Sequence, residues 1–231
     1  LFERVTVTNY WGRNLTVPLR FEFAADFRDM FEVRGSTRSR RGQSHEAEAG
    51  ERSVCFRYEG LDGLVRESAI AFSLLPVALT SGSAEFALQV APRAHSSIFV
   101  EIGAEPTEPS RERFRAAAAR ARYAMRSKRR IGGTLQSSGR VFNDWLIRAR
   151  ADIALLTTDL ETGPYPYAGI PWFSTAFGRD GVISALQMLW LNPSLARGLL
   201  TFLARHQATE TASFSDSEPG KIMHETRKGE M

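Results

Sequence analysis

The sequence predicts a β-then-α architecture: an N-terminal antiparallel β-sandwich, a linker helix, and the first helices of a helical-hairpin array or α/α barrel. Three observations carry this reading. Apolar and polar residues alternate with a period of two through the first ~105 residues, as they do in half-buried strands. An Ala- and Arg-rich run, Arg111 to Arg130, has strong helix propensity. From Ser138 the apolar spacing turns helical and stays so. The expected division is residues 1–106 for the sandwich, 107–134 for the linker helix and 135–231 for the leading helices.

Leu1 to Val7 reads as a first strand. Val17, Leu19, Phe21 and Phe23 alternate with Arg20 and Glu22 in a second. Ile70, Phe72 and Leu74 form another apolar row, as do Phe86, Leu88 and Val90, and then Ile98, Val100 and Ile102. Turn signals separate them, among them Gly60-Leu-Asp-Gly63 and Ser81-Gly-Ser83. Pro106 and Pro109 close the domain.

In the linker helix, Phe114, Ala118, Ala121 and Met125 form one apolar stripe, and Gly132-Gly133 ends the helix. Phe142, Leu146, Ala149, Ile153 and Leu156 line a face of the next helix. A loop over Thr157–Ala176 follows, and then a helix carrying Ile183, Leu186 and Trp190. Asn192-Pro193 is an N-cap with proline in the first turn, opening a helix with Leu195, Leu199, Phe202, Leu203 and His206 on one face. Leu1 already lies in a strand pattern, and no stop signal precedes Met231. The chain is therefore read as an internal fragment of a longer protein.

Composition excludes several classes. No apolar run approaches the ~18 residues of a membrane span, so no membrane partner is expected. Cys55 is the sole cysteine, which rules out an intrachain disulfide and favours a reducing, cytoplasmic compartment. The net charge of +4 is carried by arginine, the lysines being only Lys128, Lys221 and Lys228. Arg111–Arg130 lacks interleaved aromatics, Tyr123 standing almost alone, so a strut is favoured over a nucleic-acid partner.

The candidate binding residues gather late in the chain. Tyr165, Tyr167, Trp172, Phe173 and Phe177 crowd one Pro-rich loop, and Arg179-Asp180 opens the helix after it. Aromatic faces beside a charged pair suit a sugar, which has apolar C–H faces and a hydroxyl rim. Asp180 is equally placed for the helix dipole, and Arg179 could pair with it. A second group is His224, Glu225, Arg227 and Glu230. It lacks the second histidine of a zinc-binding HExxH helix, and His45, His95 and His206 show no ligand spacing, so neither metal nor cofactor is expected. Its carboxylates and guanidinium suit hydroxyl recognition or acid–base work. Asp26 to Gly35, followed by Arg38, Arg40 and Arg41, reads as an ion-pair corner, with a sugar-facing role as the alternative.

Three segments in order, DFRDMFEVRGSTRSRRG, PWFSTAFGRDGVISALQMLWLNPSLARGLLTFLARHQ and PGKIMHETRKGEM, resemble bacterial glycogen-debranching enzymes of the amylo-α-1,6-glucosidase type. The resemblance runs from about Val5 to Met231. It implies a β-sandwich, a linker helix and the start of a glucoamylase-like six-hairpin α/α toroid, here truncated. It also implies a glycoside hydrolase that cleaves α-glucosidic bonds, α-1,6 branch points of glycogen or maltodextrin, with an inverting pair of carboxylic acids. Arg179 and Asp180 map to a grip on the terminal glucose, with Trp172, Phe173, His224, Glu225, Arg227 and Glu230 around it. The general acid and base map beyond Met231, so the fragment by itself is expected to be inactive.

The rival reading is a non-catalytic carbohydrate-binding or scaffold protein that uses the sandwich, and nucleic-acid binding ranks last. Inner helix faces of an incomplete toroid, such as that bearing Ile183 and Trp190, would expose large side chains at about 1.5–3 kcal/mol each. Set against a total stability of roughly 5–15 kcal/mol, this predicts marginal stability. Thermal unfolding followed by circular dichroism checks it, and a sharp, reversible two-state melt would contradict it.

Overall fold

Period-two patterning becomes two antiparallel sheets with a shared core. The computed structural model describes residues 1–231 except Pro106, Phe214, Ser215, Lys228 and Met231. Pro106, Lys228 and Met231, which figure in the expected boundaries and motifs, therefore lie outside the described residues. Contacts divide the chain into two units, Leu1–Arg120 with Gly229–Met231, and Ala121–Lys228.

In the first unit, β1 (Phe2–Thr8) and β2 (Leu15–Glu22) precede a short helix α1 (Met30–Val33) and two-residue strands β3 (Gln43–Ser44) and β4 (Glu48–Ala49). Then come β5 (Ser53–Glu59), β6 (Val65–Phe72), β7 (Ala78–Leu79), β8 (Ser83–Val90) and β9 (His95–Gly103). One sheet has the order β1-β9-β6-β5-β3, with β4 also pairing β5, and the other has the order β2-β8-β7. The register Leu15↔Val90 through Glu22↔Ser83 puts Val17, Leu19 and Phe21 on the face that also carries Phe86 and Leu88. Those side chains meet Val54, Ile70, Phe72, Ile98 and Val100 of the larger sheet in one core. Phe72 sits at its centre, fully buried, with ring centroids 5.2 Å from Phe86 and 5.4 Å from Phe21. A buried ring of this kind contributes about 1.5–3 kcal/mol. Leu74 departs from the expected row: β6 ends at Phe72 and Leu74 is exposed, because Ser73 turns the chain by accepting Phe99 N–H on its hydroxyl.

Two polar features complete this unit. Asn9 is buried, and its amide donates to the carbonyls of Arg13, Val90 and Ala91 while its oxygen accepts Trp11 N–H. It ties the chain reversal after β1 to the β8–β9 turn. The other is the predicted ion-pair corner. Asp29 and Glu32 form a capping box on α1. Arg38 lies between Glu32 and Glu230, 3.0 Å from each. The Tyr58 hydroxyl donates to Glu230 at 2.7 Å and accepts Gly42 N–H at 2.8 Å, and Leu61 N–H donates to Glu230 at 2.7 Å. Phe27 stacks on the Tyr58 ring at 5.5 Å.

In the second unit, α2 (Arg111–Arg130) is divided between the two bodies, its last ten residues falling here. None of its residues is buried, so the expected stripe of Phe114, Ala118, Ala121 and Met125 is not a core face. Gly132 ends it with φ +89°, where a side chain would also meet the Leu191 carbonyl. Helix α3 (Arg140–Leu156) buries Leu146 and Ala154 but leaves Phe142 exposed. The stretch expected to be loop forms a ribbon, β10 (Thr157–Leu160) paired with β11 (Gly163–Pro166). Prolines 164 and 166 hid it, since proline is tolerated at strand edges but argues against a strand in sequence.

Helices α4 (Gly178–Met188) and α5 (Pro193–Arg205) follow, α5 opening at Asn192-Pro193 as expected. Helix α4 buries Gly178, Gly181 and Ala185, whereas Ile183, Leu186 and Trp190 are exposed. Its inward face is the small one because α5 and the ribbon approach closely. A Cβ on Gly181 would lie 2.4 Å from Leu199 Cδ1 and 2.9 Å from the Tyr165 hydroxyl.

Two outcomes are expected. Gly181→Ala forces Leu199 and Tyr165 apart and costs about 1–3 kcal/mol, read as a lower denaturant midpoint at unchanged m-value. For Glu230, burial pushes the carboxyl up, but the Leu61 N–H, Tyr58 hydroxyl and Arg38 guanidinium overcome this and hold it at about 2. A carboxylate with a depressed folded pKa stabilises fully above its unfolded value and loses that contribution as pH falls. Glu230→Gln therefore lowers Tm by about 5–10 °C at pH 7, and the difference from the wild type shrinks between pH ~4 and pH about 2.

Candidate functional site

The site is organised by the residue that precedes α4. Phe177 is extended, with φ −105° and ψ 131°, and its carbonyl accepts the hydroxyl of the fully buried Tyr165 at 2.8 Å. Burial pushes that phenol up to about 12, so it stays a donor. Phe177 also pairs with Glu225 in an antiparallel bridge: Gly178 N–H donates to the His224 carbonyl at 3.0 Å and Thr226 N–H to the Ala176 carbonyl at 3.0 Å. Gly178 is required here because a Cβ would lie 2.4 Å from the Met223 carbonyl oxygen. The FGRD and HETR stretches, whose first residues Phe177 and His224 are 47 positions apart in the chain, are thus hydrogen-bonded neighbours.

Around this junction the expected residues fall into three sets. Arg179, His224 and Glu225 border a cleft of about 970 Å³. Asp180 follows Arg179 in the first turn of α4, and the Arg179 Nε–Asp180 Oδ2 separation is 3.9 Å. Arg179 is largely exposed and Asp180 partly so, and the pair therefore adds little stability while their polar groups stay open to a ligand.

Trp172, Phe173 and Arg227 form the second set: Phe173 and Arg227 lie against the Phe177 ring, and Trp172 is joined to Arg227 through its main-chain carbonyl. The Phe173 ring centroid is 5.9 Å away, His224 stands edge-on at 5.8 Å, and the Arg227 guanidinium lies 5.7 Å from the ring. Arg227 pairs with Glu225 at 2.6 Å and donates to the Trp172 carbonyl at 3.2 Å. Trp172 and Phe173 are both partly exposed.

Glu230 is the exception. It was expected to line a sugar pocket with Glu225 and Arg227, but it is held inside the β unit by Arg38, Tyr58 and Leu61, with a side chain only 4% exposed. Its lone pairs are committed to fixed donors, because the chain after Thr226 leaves the bridge with Phe177.

The cleft also has residues that sequence reasoning did not single out: His206, Asp216 and Lys221. Lys221 donates to Asp216 at 2.7 Å, and this bond draws the Asp216 carboxyl below its usual range. His206 stacks on Phe202 at 4.0 Å. The signal was faint, a Gly/Pro/Ser-rich loop around Asp216 and a histidine at the end of an apolar helix face. Val182 and Ile183 add apolar surface. Ammonium, imidazole, guanidinium and carboxylate groups beside aliphatic wall can bind a polyhydroxylated molecule by paired hydrogen bonds and C–H contact. Among the described residues, no group of three or more His, Cys, Asp or Glu side chains could hold a metal ion.

Residues 1–101 match the family model for the N-terminal domain of (some) glycogen debranching enzymes. No curated protein matches the sequence. A solved structure described as "Putative kojibiose phosphorylase from human microbiome" is similar over 87% of this chain, with a TM-score of 0.51 and 10% identity. At that identity the likeness is one of fold. The chain spans 30% of the length of that protein. Both descriptions are of carbohydrate-active enzymes, and over residues 1–101, less than half of the chain, the sandwich is similar to the N-terminal domains of (some) glycogen debranching enzymes, the enzymes that the chain resembles.

Proposed function

We propose that the chain is the glucose-binding part of a cytoplasmic glycoside hydrolase that acts on α-glucosidic bonds, at α-1,6 branch points of glycogen or maltodextrin. The observation that carries this reading is the bridge between Phe177 and Glu225. It brings Arg179 and the His224-Glu225 pair to one cleft edge, with Asp180 next to Arg179 in the first turn of α4 and Phe173 against the Phe177 ring. In this reading α3 to α5 are the first helices of an α/α toroid. Arg179 and Asp180 take hydroxyls of the non-reducing glucose, Glu225 and His224 take others, and Trp172 and Phe173 offer ring faces.

The inverting mechanism needs a general acid and a water-activating base ~6.5–9.5 Å apart. Neither role is assigned to a residue of this chain. What its residues do is orient the sugar, and hydrogen bonds that tighten as the ring distorts accelerate cleavage rather than merely bind.

The cleft reading is tested by titrating the chain with isomaltose and maltotriose, followed by calorimetry. Arg179→Ala and Glu225→Gln are each expected to weaken binding by about 10- to 100-fold, the size of one charge-assisted hydrogen bond. Unchanged affinity in both variants would move the sugar site off this cleft. In an enzyme that carries the catalytic pair, Asp180→Ala is expected to lower kcat/KM on branched dextrin by at least about 100-fold, and unchanged activity would remove Asp180 from the site.

A further inference from the structure

A second cleft, of about 550 Å³, lies between the end of α2 and α3, entirely within the helical unit. Four guanidinium groups border it: Arg126, Arg129 and Arg130 from α2 and Arg150 from α3. No carboxylate is among its described lining residues. None of the four arginines makes an ion pair with a described acid, although Lys128 in the same turn is paired with Asp159 at 3.3 Å. Arg150 donates to the Arg129 main-chain carbonyl, which holds the side chain from α3 against the end of α2.

The helix dipole accounts for part of this charge. Lys128, Arg129 and Arg130 occupy the last turn of α2, where cations are favoured. It does not account for Arg126, a turn further in, or for Arg150 near the middle of α3. Like charges gathered in one concavity repel each other, and an anion in the cleft removes that cost. The guanidinium fork matches phosphate oxygens two at a time. Leu135, Leu146 and Ile147 supply aliphatic wall, Thr134, Gln136 and Asn143 add neutral polar groups, and no aromatic is among its described lining residues. A single-stranded nucleic acid would want stacking surfaces, so the lining fits a compact ligand.

We propose that this cleft binds a small phosphorylated ligand, orthophosphate or a sugar phosphate, through Arg126, Arg129, Arg130 and Arg150. The inference is independent of sugar binding at the mouth of α4. Calorimetric titration of the chain with orthophosphate and with glucose 6-phosphate, at ionic strength held constant with chloride, tests it. Saturable binding of either at one site per chain is expected, and whichever arm binds identifies free phosphate or sugar phosphate as the source.

Arg126→Gln and Arg130→Gln should each weaken that binding by about tenfold and leave maltotriose binding unchanged. Both positions are exposed, so the folded state tolerates the change, and circular dichroism confirms it. No saturable heat with either ligand, or wild-type affinity in both variants, overturns the proposal. So does binding of an oligonucleotide where neither small ligand binds.

Discussion

The helical unit depends on how closely its backbones approach one another at glycine. Gly178 lets the segment ending in His224 pair with the mouth of α4, Gly181 lets α4 meet Tyr165 and Leu199, and Gly198 lets α5 meet the ribbon. A Cβ on Gly198 would lie 2.4 Å from the Pro164 carbonyl oxygen. These contacts replace side-chain interdigitation with backbone proximity. Tyr165 exploits the proximity: its ring fills the core beside Phe202 while its hydroxyl fixes the carbonyl of Phe177. The position of Arg179 and Asp180 follows, since they are the next residues on a helix whose start is held on two sides.

The β unit is governed by ordinary hydrophobic burial, and its polar groups mark where burial alone would not specify the chain path. Asn9 satisfies four backbone groups at the end of the sandwich. In the DFRDMFEVRG corner, Glu32 is drawn below its usual range chiefly by the Asp29 N–H, with Arg38 and Arg41 adding to it. A buried charge without its partner is strongly destabilising. Arg38, flanked by Glu32 and Glu230, therefore fixes the irregular segment between β2 and β5 as well as the residue at position 230.

Most of the architecture was legible because it rests on periodicity. β2, β8 and β9 are clean alternations, and α2 is delimited by composition. α5 was equally plain, because Asn192-Pro193 and the Leu195, Leu199, Leu203 spacing agree. What was not legible depends on non-local approach. The ribbon of β10 and β11 carries prolines that contradict a strand, and only its pairing partner shows why they fit. The apolar row Ile183, Leu186, Trp190 looked like a core face, yet glycine and alanine are what α4 buries. Small residues carry little hydrophobic signal, so a helix packed through them conceals its inner side. The same blindness applied to His206, which joins the Asp216-Lys221 pair at the cleft only through the fold.

The short run from His224 to Glu230 shows how far sequence proximity can mislead about chemistry. Its two glutamates read as one acidic cluster, but the structure gives them opposite conditions. Glu230 receives a backbone N–H, a phenol and a guanidinium, all fixed, and its carboxyl is held at about 2. A group so committed, with a side chain only 4% exposed, is closed to a ligand hydroxyl and takes up a proton only in strong acid. Glu225 has Arg227 as its ion-pair partner and borders the cleft beside Arg179 and His224. Of the two, it alone combines a carboxylate with access to a ligand, and Arg227 both aims it and ties it to the Trp172 backbone. One carboxylate fixes the end of the segment in the β unit, and the other, five residues earlier, is presented at the cleft.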